Sequence, residues 1–242
     1  MGNTRTKIAV FDTPANDNEL RFYDVVMNVD LKPQLLLDWV TKFKIRQSII
    51  SSVVNHAAFV EEILKRQTFF IELTHHTPIP IINTYGTPAT LGRDRLAVVV
   101  AGNVLHPKND ILVIDAGTCI TYDFIDKMSV YHGGSIAPGI QMKFKAVHTF
   151  TDQLPLIKTT ELGSLTGKST HEAIVSGVLH GTIAEMQGII DKYCQEYPQL
   201  RVLLTGGDAV FFETNLKSEI FACPNLVLQG INQILNYNVA KA

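Results

Sequence analysis

Four apolar residues, Ile111 to Ile114, run directly into Asp115, and two places later Gly117 starts a turn into a second β-branched and aromatic segment, "CITYDFID". This stretch reads strand–turn–strand and leaves Asp115 at a strand's carboxyl end, where ligands collect in open α/β sheets. The rest of the chain must supply partners for such a strand. Apolar alternation and β-branched residues predict strands at "KIAVFD" (7–12), "LRFYDVVM" (20–27), "SIISSVV" (48–54), "TFFIEL" (68–73) and "IPIIN" (79–83). Between them, "QLLLDWVTKF" (34–43) and "AAFVEEILKR" (57–66) space their apolar residues three and four apart, as amphipathic helices do. Strands alternating with helices imply an α/β layer architecture.

The pattern resets at the polar loop "HPKND" (106–110), which divides the chain into an N-terminal part, 1–105, and a C-terminal part, 106–242. In the second part, "VYHGGSIAPGI" (130–140) is a strand running into a Gly/Pro turn, and a long helix spans Ser169 to about Tyr197. Ser169 and Glu172 stand at capping-box spacing at its start. "LRVLLTGGDA" (200–209) is a strand entering a Gly-Gly turn, and "LVLQGINQILNY" (226–237) is a closing amphipathic helix.

Composition excludes several functions. With 242 residues and a net charge of −2, the chain can bury a sizeable core but carries no basic field for nucleic acid or an anionic membrane. Cys119, Cys194 and Cys223 form no CxxC pair, which speaks against zinc and fits reduced thiols in a cytoplasm. No signal segment or membrane-length apolar run is expected.

A short internal echo links the two parts. When Gly2 of "MGNTRTKIAVFD" is set under Gly117 of "DAGTCITYDFID", Asn3 falls under Thr118 and Thr6 under Thr121, with a strand following in both. A Gly turn beside a hydroxyl or amide side chain suits phosphate. The backbone approaches without a Cβ, successive N–H groups point at the oxygens, and the neighbouring side chain adds hydrogen bonds. "LLTGGDA" is a third such turn, placed for a base and ribose. Asp115 is a candidate ligand for a cation beside ATP phosphates, because hard cations prefer carboxylate oxygen; Asp123 reads as a solvated strand residue.

Arg93, Asp94 and Arg95 follow Gly92 and open a wholly apolar helix. Asp94 suits the helix dipole, but two arginines oppose it, so capping alone explains the triplet poorly. Arginines on either side would keep Asp94 ionised and ready to accept a proton, and they could grip an anionic substrate. His75 and His76, adjacent on an expected strand, would point to opposite sides. His132, His148, His171 and His180 read as surface or satisfied core. There is no P-loop.

Together these segments resemble the type III pantothenate kinases of the acetate and sugar kinase/Hsp70/actin superfamily. The likeness rests on "GNTRTK" (2–7), "SSVV" (51–54), "YGTPATLGRDRLA" (85–97), "DAGTCITYD" (115–123), "GGSIAPGIQM" (133–142), "QLP" (153–155), "GKST" (167–170) and "TGGDA" (205–209). It implies two ribonuclease H-like lobes of actin-like ATPase type with a nucleotide cleft between them, and ATP-dependent phosphorylation of pantothenate to 4′-phosphopantothenate. By the family's motifs, Asp94 is the base, and Tyr85, Gly92, Arg93, Arg95 and Thr170 contact pantothenate. Gly2, Asn3, Thr4, Arg5, Thr6, Lys7 and Thr118 contact ATP, and Asp115 holds an activating potassium or ammonium ion, with Mg²⁺ accompanying ATP. A homodimer completing the pantothenate pocket is also implied. At its start the chain departs from the family pattern of an apolar strand and Asp-x-Gly-Asn-Thr. Met1 then reads as the "x", with the first strand and its aspartate missing. Two alternatives stay open: a nucleotide-binding regulatory relative of the Bvg accessory factor, and a superfamily kinase for another acid-alcohol.

Overall fold

The computed structural model describes residues 1–2, 4–12, 19–52, 54 and 57–242. Its first elements are β1 (Arg5–Phe11), β2 (Leu20–Met27), α1 (Pro33–Lys42), β3 (Gln47–Ile50), α2 (Ala58–Gln67), β4 (Phe69–Glu72) and β5 (Ile82–Asn83). There follow α3 (Arg93–Leu105), β6 (Ile111–Ala116), β7 (Cys119–Ile125), β8 (Val130–Pro138), α4 (Ile140–Thr149) and α5 (Thr170–Glu196). β9 (Arg201–Thr205), α6 (Ala209–Asn215), β10 (Phe221–Ala222) and α7 (Leu226–Val239) complete the series. Two expected strands are shorter than predicted. β3 stops at Ile50, and the carbonyl of Ser52 just beyond it serves the Arg93 guanidinium instead of a strand partner. In "IPIIN", Pro80 has no N–H to give a ladder, and only Ile82 and Asn83 pair. The sequence pattern did not announce α4, α6 or β10.

By contacts the chain falls into two units that interleave in sequence. One comprises Met1–Pro80, Thr87–Ala101 and Val227–Ala242, and the other Ile81–Gly86 and Gly102–Leu226. The expected cut at 105/106 is a division of sequence, whereas the contacts return α7 to the first unit. The reason lies at Gly230, where a Cβ would stand 1.8 Å from the Ala97 carbonyl oxygen. Only glycine lets these two helices touch backbone to backbone.

The first unit carries two separate two-stranded sheets, β1–β2 antiparallel and β3–β4 parallel. Leu31, Val40, Ile50, Val60 and Leu64 form its core with Ile8, Val26 and Trp39 packed against them. Val60 and Leu64 lie one turn apart on α2 and share its inward face. The apolar start of α3 is buried throughout, from Leu96 to Ala101, as a helix apolar on every side must be.

The second unit is built on a six-stranded mixed sheet in the order β10-β9-β6-β7-β8-β5. Leu112, Ile114 and Ala116 on β6 point to the face covered by α4 and α5, with Ile120, Tyr122 and Phe124 from β7 beside them. α5 is long and apolar enough by composition to cross a membrane, which the sequence reading did not foresee. Here Ile174, Val175, Val178, Leu179, Met186 and Ile190 are spent on the core. Its cap is half of the expected pair: Ser169 Oγ accepts the Glu172 N–H at 3.2 Å, but the Glu172 carboxylate accepts from Lys168 N–H at 2.7 Å. Lys143 ties α4 to α5 by donating to Glu185 Oε2 (2.6 Å) and Thr182 Oγ1 (3.1 Å).

Candidate active site

At the carboxyl end of β6, three backbone turns pack directly on one another. Gly117 N–H donates to the Cys119 carbonyl at 2.9 Å, closing the turn into β7. Gly139, the residue before α4, donates to the Thr118 carbonyl at 3.0 Å, and a Cβ on it would lie 2.1 Å from the Gly117 oxygen. Gly206 takes φ of 99°, and its Cβ would lie 2.3 Å from the Ala116 oxygen and 2.5 Å from Asp115 Oδ1. Asp208 N–H then donates to the Ala116 carbonyl at 2.9 Å, and burial pushes the Asp208 carboxyl upward from its ordinary value. The third turn foreseen in "LLTGGDA" therefore reaches Asp115 and Ala116, while Thr118 stands exposed at the rim.

Register places Asp115 opposite Thr205 on β9 and opposite Thr121 on β7. Directly opposed residues share a face, so the three form a row across the sheet. Thr205 is buried, and Thr121 Oγ1 is buried with no hydrogen-bond partner among the described residues. Asp123, on the same strand, corrects the expectation of a solvated residue. It is fully buried and accepts the Tyr131 hydroxyl at 2.7 Å. The Tyr131 hydroxyl from β8 is buried with it and supplies the hydrogen bond that water would otherwise give.

In the first unit the segment from Gly2 is shaped by Asn28, which sequence reasoning missed. Gly2 N–H donates to the Arg5 carbonyl at 2.9 Å. Asn28 donates through Nδ2 to the Gly2 oxygen (2.9 Å), accepts from Thr6 Oγ1 (2.8 Å), and gives its own N–H to the Thr4 oxygen (2.9 Å). Thr6 is buried by this bond, while Thr4, Arg5 and Lys7 are exposed. Asn3 lies outside the described residues.

Asp94 is exposed at the start of α3, and its Oδ1 accepts the Arg95 N–H at 2.9 Å. Gly92 makes room for that carboxylate, since a Cβ there would stand 2.5 Å from Asp94 Oδ1. The two arginines differ. Arg93 Nη1 donates to the Ser52 carbonyl at 2.6 Å, and Arg95 is buried. Thr170 is exposed on the first turn of α5. Tyr85 is half-buried after β5, its ring nearly parallel to that of Tyr131, with centroids 6.2 Å apart.

Three of the histidines are hydrogen-bonded within the fold. His132 meets Asp126 at 2.7 Å, His148 the Leu154 oxygen at 2.6 Å and His180 the Gly163 oxygen at 3.0 Å. His75 and His76 occupy a turn rather than a strand, with ring centroids 3.8 Å apart. Among the described residues no three His, Cys, Asp or Glu side chains converge on a point that would hold a metal. A cation at Asp115 would therefore draw on hydroxyl and carbonyl oxygens.

The fold defines the class first. It is a mixed α/β fold shared with solved structures of low sequence identity. A Campylobacter jejuni protein described as a conserved Baf-family transcriptional activator superposes with a TM-score of 0.61 at 23% identity, over 99% of this chain and 96% of that one. The ADPNP-bound activator of 2-hydroxyisocaproyl-CoA dehydratase from Clostridium difficile gives 0.52 at 12% identity, over 100% and 92%. Sequence then narrows the class. The type III pantothenate kinase family model matches residues 1–192. Type III pantothenate kinases of Phocaeicola vulgatus and Bacteroides fragilis are 46% and 44% identical, each over 98% of this chain and 96% of the relative. The chain belongs to the type III pantothenate kinase family.

Proposed function

We propose that the chain transfers the γ-phosphoryl group of ATP to the 4′-hydroxyl of pantothenate, giving ADP and 4′-phosphopantothenate, the first step of coenzyme A synthesis. The observation that carries this reading, beside family membership, is the glycine-walled end of β6. Gly139 and Gly206 pack their turns directly on the backbone of Gly117, Thr118 and Ala116, and Gly117 itself carries no Cβ at the turn into β7. A turn held this way, with no Cβ at Gly117 and Thr118 exposed beside it, lets a phosphate chain approach the backbone closely.

Phosphoryl transfer passes through a loose transition state, so positioning and charge neutralisation dominate. Asp94 orients the hydroxyl in line and takes its proton late, as the new P–O bond forms and the bond to ADP breaks. Its exposure and its tether to Arg95 N–H support that role. Gly92, Arg93, Arg95, Tyr85 and Thr170 contact pantothenate. Gly2 to Lys7 and Thr118 contact ATP, with Arg5 and Lys7 on the same solvent-facing side of β1. A potassium or ammonium ion would be held by Asp115. The buried Thr121 hydroxyl beside it, lacking a partner among the described residues, fits an oxygen-rich cation site. With the Mg²⁺ that accompanies ATP, the cation would neutralise phosphate charge.

The finer architecture belongs to the same proposal. The chain forms two ribonuclease H-like lobes, with the pairs β1–β2 and β3–β4 in the first. It works as a cytoplasmic homodimer whose interface completes the pantothenate pocket. The exposed apolar side chains of Ile136, Phe150 and Leu165 are compatible with such an interface. The test is ATP-dependent phosphorylation of pantothenate assayed with potassium, ammonium and sodium. Turnover with potassium or ammonium is expected, and no turnover under any of the three would overturn the reading.

A further inference from the structure

Tyr85 is held by an irregularity in the strand beside it. In the β7–β8 ladder Phe124 faces Gly133 but Ile125 faces Tyr131, so His132 is an extra residue and the register slips. Gly133 takes φ of 97°, a conformation that residues with a Cβ rarely adopt. A bulge of this kind bends its strand and re-aims the neighbouring groups. A Cβ on Gly133 would stand 3.0 Å from Cδ2 and 3.2 Å from Cε2 of Tyr85. The Tyr85 ring thus occupies the volume that any other residue at 133 would fill.

Behind the ring the support is polar and buried. Tyr131 lies nearly parallel to Tyr85, at an interplanar angle of 11°, and is itself fully buried. Its hydroxyl donates to Asp123 Oδ1 at 2.7 Å, and Asp123 is also fully buried. A buried carboxylate is costly unless hydrogen-bonded, so this pair resists rearrangement. The backbone adds a further hold. Tyr85 N–H donates to Asn83 Oδ1 at 3.0 Å, while Thr84 gives its N–H (3.1 Å) and its hydroxyl (2.8 Å) to the Tyr131 carbonyl.

We infer that Gly133, Tyr131 and Asp123 are positioning residues for the acceptor substrate: they seat the Tyr85 ring against which the hydroxy-acid amide is held. The inference rests on Tyr85 being a pantothenate contact. The contacts described for this seat involve none of the residues assigned to ATP, so its effect is expected on one substrate.

The experiment is a double-mutant cycle on the full chain. Gly133→Ala is expected to raise KM for pantothenate about tenfold, the factor that 1.4 kcal/mol gives, with KM for ATP unchanged. In a Tyr85→Ala background the same substitution is expected to change nothing further. If Gly133→Ala does not fold, Tyr131→Phe, which adds no atom and removes the hydroxyl that bonds Asp123, carries the same cycle with a rise of about threefold. The inference is overturned if the two effects multiply independently or if both KM values move together. An unchanged KM for pantothenate in Tyr85→Ala alone would overturn the assignment of Tyr85, and the inference with it. That result is distinguishable because it appears before position 133 is altered.

Discussion

Replacing Gly139 with alanine isolates the contact between the start of α4 and the Gly117–Thr118 turn. Gly139 has φ −71° and ψ 171°, which alanine adopts freely, so backbone strain does not enter. One methyl group does. Its carbon would lie 2.1 Å from the Gly117 oxygen and 2.6 Å from the Thr118 oxygen. Close carbon–oxygen contacts run to about 3.3 Å, so the turn or the helix must withdraw by about 1 Å. Overpacking of this kind costs about 1–3 kcal/mol. For a chain of this size each kcal/mol shifts Tm by about 2–4 °C, which gives a fall of about 2–12 °C. The displaced turn carries Thr118, so KM for ATP should rise while KM for pantothenate holds. Gly188→Ala is the matched control. No atom lies within 4 Å of an added Cβ there, and the change within α5 should raise Tm because alanine is favoured over glycine by about 1 kcal/mol in a helix. Thermal unfolding and initial-rate kinetics read both variants. A Gly139→Ala protein with unchanged Tm and unchanged KM for ATP would refute the reasoning.

Three further outcomes are expected. Asp94→Asn should lower turnover by at least about 10²-fold while calorimetric ATP binding persists; normal activity would remove Asp94 from the base role. Asn28→Ala loses two side-chain hydrogen bonds, about 1–3 kcal/mol together, so Tm should fall and KM for ATP rise; a variant with neither change would show that Asn28 does not hold the Gly2–Thr6 segment. Burial pushes the Asp126 carboxyl up, but hydrogen bonds from His132, Val130 N–H and Met128 N–H outweigh it and hold it below the usual carboxylate value. A carboxylate lowered on folding stabilises above its unfolded pKa and loses that contribution as pH falls through the folded one. Asp126→Asn should therefore be less stable than the parent at neutral pH, with the gap closing as pH drops below about 4; a gap that persists in urea titrations at pH 2 contradicts this.

Much of this was legible in the chain because it depends on local pattern. The run from Ile111 to Ile114 could hardly avoid forming a buried strand, and Asp115 at its end followed from one-dimensional order. The spacing of Val60 and Leu64, and the unbroken apolar start of α3, likewise need no partner to be read. What sequence missed depends on pairing. Asp123 alternates correctly for a strand, but whether it meets water depends on what covers its face of the sheet, which no window of residues reports. Asn28 shapes a segment more than twenty residues away, and Gly133 matters because of Tyr85, nearly fifty positions earlier. α4 escaped notice because "APG" reads as a turn, while the burial that rewards the helix, at Ile140 and Phe144, comes from α5.

The two separate strand pairs of the first unit bear on how tightly a nucleotide can be held. A lone two-stranded pair protects few amides, so hydrogen exchange in β1 and β2 should run far faster than in β6 and β7, which are bonded on both sides. If Gly2 to Lys7 grip phosphate only while that hairpin is closed, apparent affinity falls by the fraction of time it is closed. Added nucleotide would then slow exchange along β1 and β2 in proportion to occupancy. Ligand binding and the local order of this hairpin would be one equilibrium observed from two ends.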